Sequence, residues 1–244
     1  GKSHTILGCV SELLKEDVNI LIATPTGFLA SCYRSQTQDE VSCETVHSSF
    51  TIPVSPTESP KINWSLSRFD LIIIDELSMI SETIFQHVLM TVSKLLFRPV
   101  FVLSGDGAQQ QPFTREATRI IPVTNPLNNS QFVSSTYHFH LTEQHRVEDQ
   151  AYLNFLNHIR HWVPTQNELD DIQRDRVICP DNIFNADKIM QMFLAHADIS
   201  VLTFTNNAAD EINKLVLANL FNAETSLATV KFDNGERGID TEIC

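Results

Sequence analysis

The sequence predicts an α/β fold with a mainly parallel sheet, and three observations carry that prediction. Phe69-Asp70-Leu71-Ile72-Ile73-Ile74-Asp75-Glu76-Leu77-Ser78-Met79 opens on an apolar, β-branched run. Such a run suits a strand covered on both faces, as inside a parallel sheet. It breaks into two adjacent carboxylates, and open α/β sheets place their ligands at the carboxyl ends of strands. The second observation is Gly1-Lys2-Ser3-His4-Thr5, followed by Ile6, Leu7, Val10, Leu13 and Leu14 on one helical face. Gly-Lys-Ser before a helix is the second half of a phosphate-binding loop, whose amides face an anion while the lysine adds a cation. The third is the alternation of strand-like runs with helical patterns along the chain, the signature of βαβ units.

The elements follow in order. Val18-Asn19-Ile20-Leu21-Ile22-Ala23 reads as a strand, ended by Thr24-Pro25-Thr26-Gly27 because Pro and Gly punctuate. A helix through Phe28, Leu29, Cys32 and Tyr33 comes next, then a polar loop reaching Thr45-Val46-His47-Ser48-Ser49-Phe50. Pro53, Pro56 and Pro60 make the stretch from Ile52 to Trp64 a loop. After the central strand, Ser81 caps a helix whose Ile84, Val88, Val92 and Leu95 recur at helical spacing. Pro99 to Ser104 is a further buried strand, ended by Gly105-Asp106 and followed by Gln109, Gln110, Gln111 and Pro112.

Thr114 to Ser135 reads as loop-rich, and Tyr137-His138-Phe139-His140-Leu141 alternates like a strand. From Asp149 a helix carries Tyr152, Leu153, Leu156 and Ile159 inward until Pro164 stops it. Thr165 to Arg174 forms a short polar helix, and Ile189, Met192 and Phe193 mark another. Ile199 to Thr205 reads as a strand, after which Asn206 caps a helix with Ile212, Leu215, Val216 and Leu220 on its apolar face. Asp233-Asn234-Gly235 signals a hairpin turn. A change of composition around Tyr137–Arg146 divides the chain into residues 1–138 and 139–244.

Composition narrows the class. The chain has 244 residues, 42% apolar and 19% charged, which is ordinary for a globular protein of one or two domains. Its net charge of −13 attracts no nucleic acid in bulk, so any such contact must come from a local groove. Cys9, Cys32, Cys43, Cys179 and Cys244 lack a C-x-x-C pair and read as reduced thiols of an intracellular protein. No apolar run is long enough to span a membrane. His138, His140 and His145 could be read as metal ligands, but no Cys or Asp framework at zinc spacing accompanies them. His158 and His161 form a solvated helix face, and no cysteine has a base partner for nucleophilic work.

Taken in order, several short motifs become specific together. They are Gly1-Lys2-Ser3, Ala23-Thr24-Pro25-Thr26-Gly27, Thr45-Val46-His47-Ser48-Ser49-Phe50 and Ile74-Asp75-Glu76-Leu77-Ser78-Met79. After them stand Gly105-Asp106 with Gln109 and Pro112, Leu141-Thr142-Glu143-Gln144-His145-Arg146, and Val201 to Asn206 with Glu211-Ile212-Asn213. The set resembles the motif series of superfamily 1 DNA helicases, in the Pif/RecD-like branch that includes Helitron transposon helicases. The resemblance runs to about Phe221. It implies a RecA-like P-loop domain with a parallel sheet, lacking its first strand, and part of a second RecA-like domain.

The resemblance also implies an ATP-driven motor that moves 5′ to 3′ on single-stranded DNA and unwinds forked duplexes. Family roles lie in repair, recombination and telomere maintenance. Gly1, Lys2, Ser3 and His4 match the nucleotide-binding loop, and Ser3 and Asp75 match the magnesium ligands. Glu76 matches the base for the attacking water, Gln109 the glutamine that senses the terminal phosphate, and Arg146 an arginine finger. Pro25, Thr26, Gly27, His47, Ser48 and Phe50 match the DNA groove. ATP and Mg2+ are the implied cofactors, and a monomeric motor in the nucleus, or else the mitochondrion, is the implied setting.

The sequence departs from that pattern in places. The first half of the phosphate loop and its strand are missing, and the chain stops before the last two helicase motifs. Gly107 stands where the third motif has an aromatic, and Gln111 where it has a proline. The segment between Phe50 and Phe69 is short and proline-rich where the family carries a strand-separating wedge. We therefore expect a fragment of a longer protein, with Lys2 near Asp75 and Glu76, Gln109 on the same rim, and a gap beside Val100–Ser104. Two rival readings stand beside the helicase. One is a catalytically dead, transposon-derived fragment that binds nucleic acid or a partner; the other is a P-loop ATPase that does not work on DNA.

Overall fold

A computed structural model describes residues 1–53, 61–116, 119–143, 145, 147–173, 191–192, 194–195, 201–203, 205–220, 229–230 and 241–242. They form two compact units, Gly1–Thr165 and Gln166–Cys244. The units divide after Thr165, whereas the sequence places the domain change around Tyr137–Arg146.

The first unit is built on a four-stranded parallel sheet in the order β2-β1-β3-β4. The strands are β1 (Ile20–Thr24), β2 (Ser42–Thr45), β3 (Leu71–Ile74) and β4 (Val100–Leu103). The α/β class and the parallel sheet are therefore as the sequence predicts. Every residue of β1 and β3 is buried, because helices cover both faces of the two central strands. On one face α1 (Lys2–Leu14) and α2 (Gly27–Gln36) bring Ile6, Val10 and Tyr33 against Ile20, Ile22, Leu71 and Ile73. On the other, α3 (Val46–Ser49), a 3-10 turn at Trp64–Arg68 and α4 (Glu82–Lys94) bury Val46, Phe50, Leu66, Phe85 and Val88 against Leu21, Ala23, Ile72 and Ile74. Ser81 caps α4 as expected, accepting from the Ile84 amide at 3.3 Å.

Parts of the chain differ from expectation for identifiable reasons. The polar loop before Thr45 contains β2, an edge strand whose Ser, Glu and Thr show no apolar alternation. The loop-rich stretch from Thr114 holds a hairpin, β5 (Phe113–Glu116) with β6 (Arg119–Pro122), and the short helix α5 (Ser130–Ser134). Tyr137 to Leu141 alternates but pairs with no strand among the described residues, and Tyr137 and Phe139 stand almost wholly exposed. Alternation selects a face only where a neighbouring strand supplies a ladder. The helix from Asp149 exists as α6 (Gln150–Ile159), capped by Asp149, yet none of its residues is buried.

Within the second unit, α7 (Gln166–Gln173) matches the expected polar helix and residues 191–192 and 194–195 are helical. Of the expected strand 199–205, Val201–Thr203 and Thr205 are described and form no strand; Leu202 is exposed. Thr205, rather than Asn206, caps α8 (Asn206–Leu220), since its hydroxyl accepts from the Ala208 amide at 3.2 Å. Thr229–Val230 (β7) pairs antiparallel with Thr241–Glu242 (β8), while the turn residues Asp233–Gly235 lie outside the described residues. No helix among the described residues is long and apolar enough to cross a membrane.

Candidate functional site

Parallel pairing aligns the strand ends, so the loops after β1, β2, β3 and β4 share one rim. The register matches Thr24 with Thr45, Ala23 with Ile74, and Ile74 with Leu103. Thr45, Thr24, Asp75 and Ser104 therefore stand level at the strand ends. The amino terminus of α1 meets this rim at Glu76.

The turn after β3 is tightly held. The Asp75 amide donates to Ala23 at 3.1 Å and the Leu77 amide to Ser104 at 2.8 Å. Between them Glu76 takes a left-handed backbone, with φ 54° and ψ 45°. That conformation costs a non-glycine residue on the order of 1 kcal/mol, and neighbouring bonds must hold it. Gly105 permits the close approach of β4's end: a Cβ there would meet the Ser78 amide nitrogen at 3.1 Å. The same turn aims the two carboxylates apart. Asp75 is wholly buried, whereas the Glu76 side chain is 22% exposed and meets Lys2 Nζ at 3.4 Å. The expected meeting of Lys2 with the two carboxylates is thus made at Glu76.

Asp75 has an unforeseen partner. The buried Tyr33 hydroxyl donates to Asp75 Oδ2 at 2.6 Å. Burial and then the Asp75 hydrogen bond push the Tyr33 hydroxyl well above its ordinary pKa. The other oxygen, Asp75 Oδ1, is buried with no hydrogen-bond partner among the described residues. Tyr33 sits on the apolar face of α2, and nothing in its sequence setting marks it as more than a core residue.

Gly1 is the residue before α1 and makes no side-chain cap, and the first turn holds no acidic residue. The leading amides of Lys2, Ser3 and His4 therefore carry the positive end of the helix dipole with no acidic residue of the helix's own first turn to offset it. Gln109 lies on the loop after β4, exposed, with its amide donating to Asp106 Oδ2 at 3.1 Å. Asp106 also takes both arms of the Arg160 guanidinium, at 2.7 and 2.8 Å. Gln111 binds the Gly107 carbonyl and the Asn125 side-chain amide, bracing the same loop. Arg146 lies outside the described residues.

The expected DNA-groove residues divide. Thr26 caps α2 through the Leu29 amide at 3.3 Å, and Gly27 opens that helix; both are exposed, beside half-buried Pro25. His47 is half-buried and Ser48 exposed on α3, where Ser48 also donates to Glu44 at 3.2 Å. Phe50 is a correction: at 0% exposure it belongs to the core and presents no ring face to a base. An aromatic ring on this rim comes instead from Phe28, 82% exposed in the first turn of α2. The sequence carried no separate signal for it, since Phe28 falls in helical register with Cys32 in the expected pattern of α2. No cluster of three His, Cys, Asp or Glu side chains able to hold a metal occurs among the described residues. His138 instead bonds the Val133 carbonyl at 2.6 Å and His145 pairs with Glu143 at 3.3 Å.

Comparison with known proteins agrees with the α/β fold. Residues 1–115 match the AAA_19 family model, described as an AAA domain. Among solved structures, the chain is similar to the Pif1 helicases of a study of forked-duplex unwinding by two coordinating copies. There the identity is 26% over 71% of this chain and 45% of that one, with a TM-score of 0.51. Pif1 from Bacteroides sp. in complex with ADP-AlF4 is 20% identical over 92% of this chain and 52% of that one, with a TM-score of 0.54. Bacteroides Pif1 bound to single-stranded DNA is 22% identical over 80% and 50%, at a TM-score of 0.50. The latter two carry the fold alone. No curated protein matches the chain. The chain spans about half the length of these solved relatives. Together the matches support a superfamily 1, Pif1-like helicase region with a RecA-like sheet.

Proposed function

We propose that this Pif1-like chain is the ATP-hydrolysing and DNA-engaging part of a superfamily 1 helicase that moves 5′ to 3′ on single-stranded DNA and opens forked duplexes. The observation that carries the reading is the meeting of Lys2 with Glu76 at 3.4 Å, beside buried Asp75, where α1 reaches the end of β3. A lysine at a helix start and an acid pair at a strand's carboxyl end are the parts that phosphoryl transfer needs.

In this reading Lys2 exchanges Glu76 for the terminal phosphate of ATP, which frees the carboxylate. Glu76 then accepts the proton of the attacking water. The amides at the start of α1 face the phosphates, Gln109 senses the terminal one, and Arg146 adds positive charge as the phosphoryl group transfers. Asp75 and Ser3 would hold a magnesium ion: Asp75 Oδ1 is a buried acidic oxygen with no hydrogen-bond partner among the described residues, and hard cations take such oxygens directly or through water. The ion would neutralise charge on the phosphates. Pro25, Thr26, Gly27, His47, Ser48 and the exposed Phe28 ring form the DNA-facing part of the rim. Hydroxyls, amides and a stacking ring bind single strands despite a net charge of −13. The proposal extends to a monomeric motor in the nucleus or mitochondrion, serving repair, recombination and telomere maintenance.

The test is ATP hydrolysis by the intact natural protein, with and without single-stranded DNA. We expect turnover that rises when DNA is added. Turnover that ignores DNA would move the protein to the ATPases that do other work, and no turnover would end the reading.

A further inference from the structure

Asp106 is a junction. Each of its carboxylate oxygens accepts two hydrogen bonds: Oδ2 from Arg160 Nη1 and the Gln109 side-chain amide, Oδ1 from Arg160 Nη2 and the Ala108 backbone amide. The Gln109 backbone amide also donates to the Asp106 carbonyl at 3.0 Å. The Asp106 side chain is only 16% exposed. Arg160 stands immediately after α6, 54 residues further along the chain. The fork fixes direction as well as distance.

We propose that Arg160 is a positioning residue for Gln109, acting through Asp106. The inference rests on the ATPase reading above and adds to it a residue outside the expected motifs. The physical argument is short. The Gln109 side chain is exposed and has rotational freedom to lose. Asp106 can hold it in one place only if Asp106 is itself fixed, and Arg160 supplies that fixation with two short charge-assisted bonds. The same fork anchors the end of α6, the first helix after the Leu141–Arg146 segment, to the loop that carries Gln109. The helix and the loop are thereby joined as one body, and a displacement of α6 is transmitted to the glutamine. Lysine could keep the charge but not the fork, so it could not fix the carboxylate plane.

The experiment compares wild type, Arg160→Lys, Arg160→Ala, Gln109→Ala and the double variant Gln109→Ala/Arg160→Ala in the intact natural protein. Hydrolysis is read at saturating ATP, and affinity is read separately by equilibrium binding of ATP. We expect Arg160→Lys to slow turnover roughly 10-fold, the scale on which small misplacement of a reacting group acts. ATP affinity should stay within about twofold, as for an interaction made in the transition state. The double variant should be no slower than Gln109→Ala alone, because Arg160 acts through that side chain. Arg160→Lys at the wild-type rate, or losses that multiply in the double variant, would overturn the assignment while leaving the ATPase reading intact. A wild type without turnover would overturn both. Arg160→Lys keeps the aliphatic stem and the charge, so the assignment is testable even if Arg160→Ala does not fold.

Discussion

The ends of β3 and β4 each carry an aspartate, and the two are held in opposite ways. Asp75 is wholly buried, with one oxygen on the Tyr33 hydroxyl and the other without a partner among the described residues. Asp106 is close to the surface, with both oxygens doubly bonded. A buried acidic oxygen left open is costly unless something else meets it. A carboxylate with four donors has no capacity left for a ligand and serves as a bracket. In the proposed reading the end of β3 presents the acid pair, and the end of β4 presents a carboxylate that brackets Gln109.

The strongest way to break that comparison is Glu76→Gln. The amide keeps the size and leaves Lys2 an acceptor, but it cannot take a proton at neutral pH. If the end of β3 is chemical, ATP turnover falls on the order of 10²–10⁴ while ATP still binds. Steady-state hydrolysis near the parent rate would show that the β3 end is framework as well.

Tyr33→Phe is expected to act on stability. It strips Asp75 of its one donor inside the core, which costs about 1–3 kcal/mol in denaturant unfolding at neutral pH. The pH dependence follows from the raised Tyr33 pKa. Above pH 10, roughly the unfolded value, the unfolded hydroxyl releases its proton while the folded one keeps it. Wild-type stability therefore declines as pH rises beyond that point, and the variant lacks this part of the decline. The gap between them should narrow in alkali; a gap constant from pH 7 to 11 would mean that the hydroxyl is not held as the structure places it.

Much of this was legible in the sequence where one side chain had one physical job. The run Leu71–Ile74 needed a covered strand, and Ser81 preceded a helical stripe. Lys2 and Glu76 stood at a helix start and a strand end that the parallel fold had to bring together. What was not legible depended on partners. The alternation from Tyr137 to Leu141 reads as a strand but meets no ladder among the described residues, and β2 hid in a polar segment because its pairing comes from β1. Phe50 sat in a motif that pointed to DNA, yet the short α3 turns its ring into the core. Tyr33 and Arg160 carried no signal, since each acquires its role only from an aspartate 42 or 54 residues away.

The smallest expected effect falls on the bracket itself. Asp106→Asn keeps an oxygen for one arm of Arg160 but sets an NH2 group against the other. Arg160's side chain is 41% exposed, so water and salt screen the lost charge, and we expect about 1 kcal/mol at neutral pH. The Arg160 hydrogen bonds, helped by the Ala108 amide and Lys2 and opposed by burial, hold the Asp106 carboxyl below its ordinary pKa. A depressed carboxyl contributes stability that is present above about pH 4, its unfolded value, and is lost as pH falls through the folded value. The gap between wild type and Asp106→Asn should therefore be full at pH 7 and close on acidification. Unfolding curves at pH 7, 5 and 3 check this, and a gap undiminished at pH 3 would mean that Asp106 acts through shape rather than charge. The two aspartate sites then part in sign: the difference made by Tyr33→Phe fades toward alkali and the difference made by Asp106→Asn fades toward acid. That opposition is what a buried hydroxyl bond and a surface ion pair dictate.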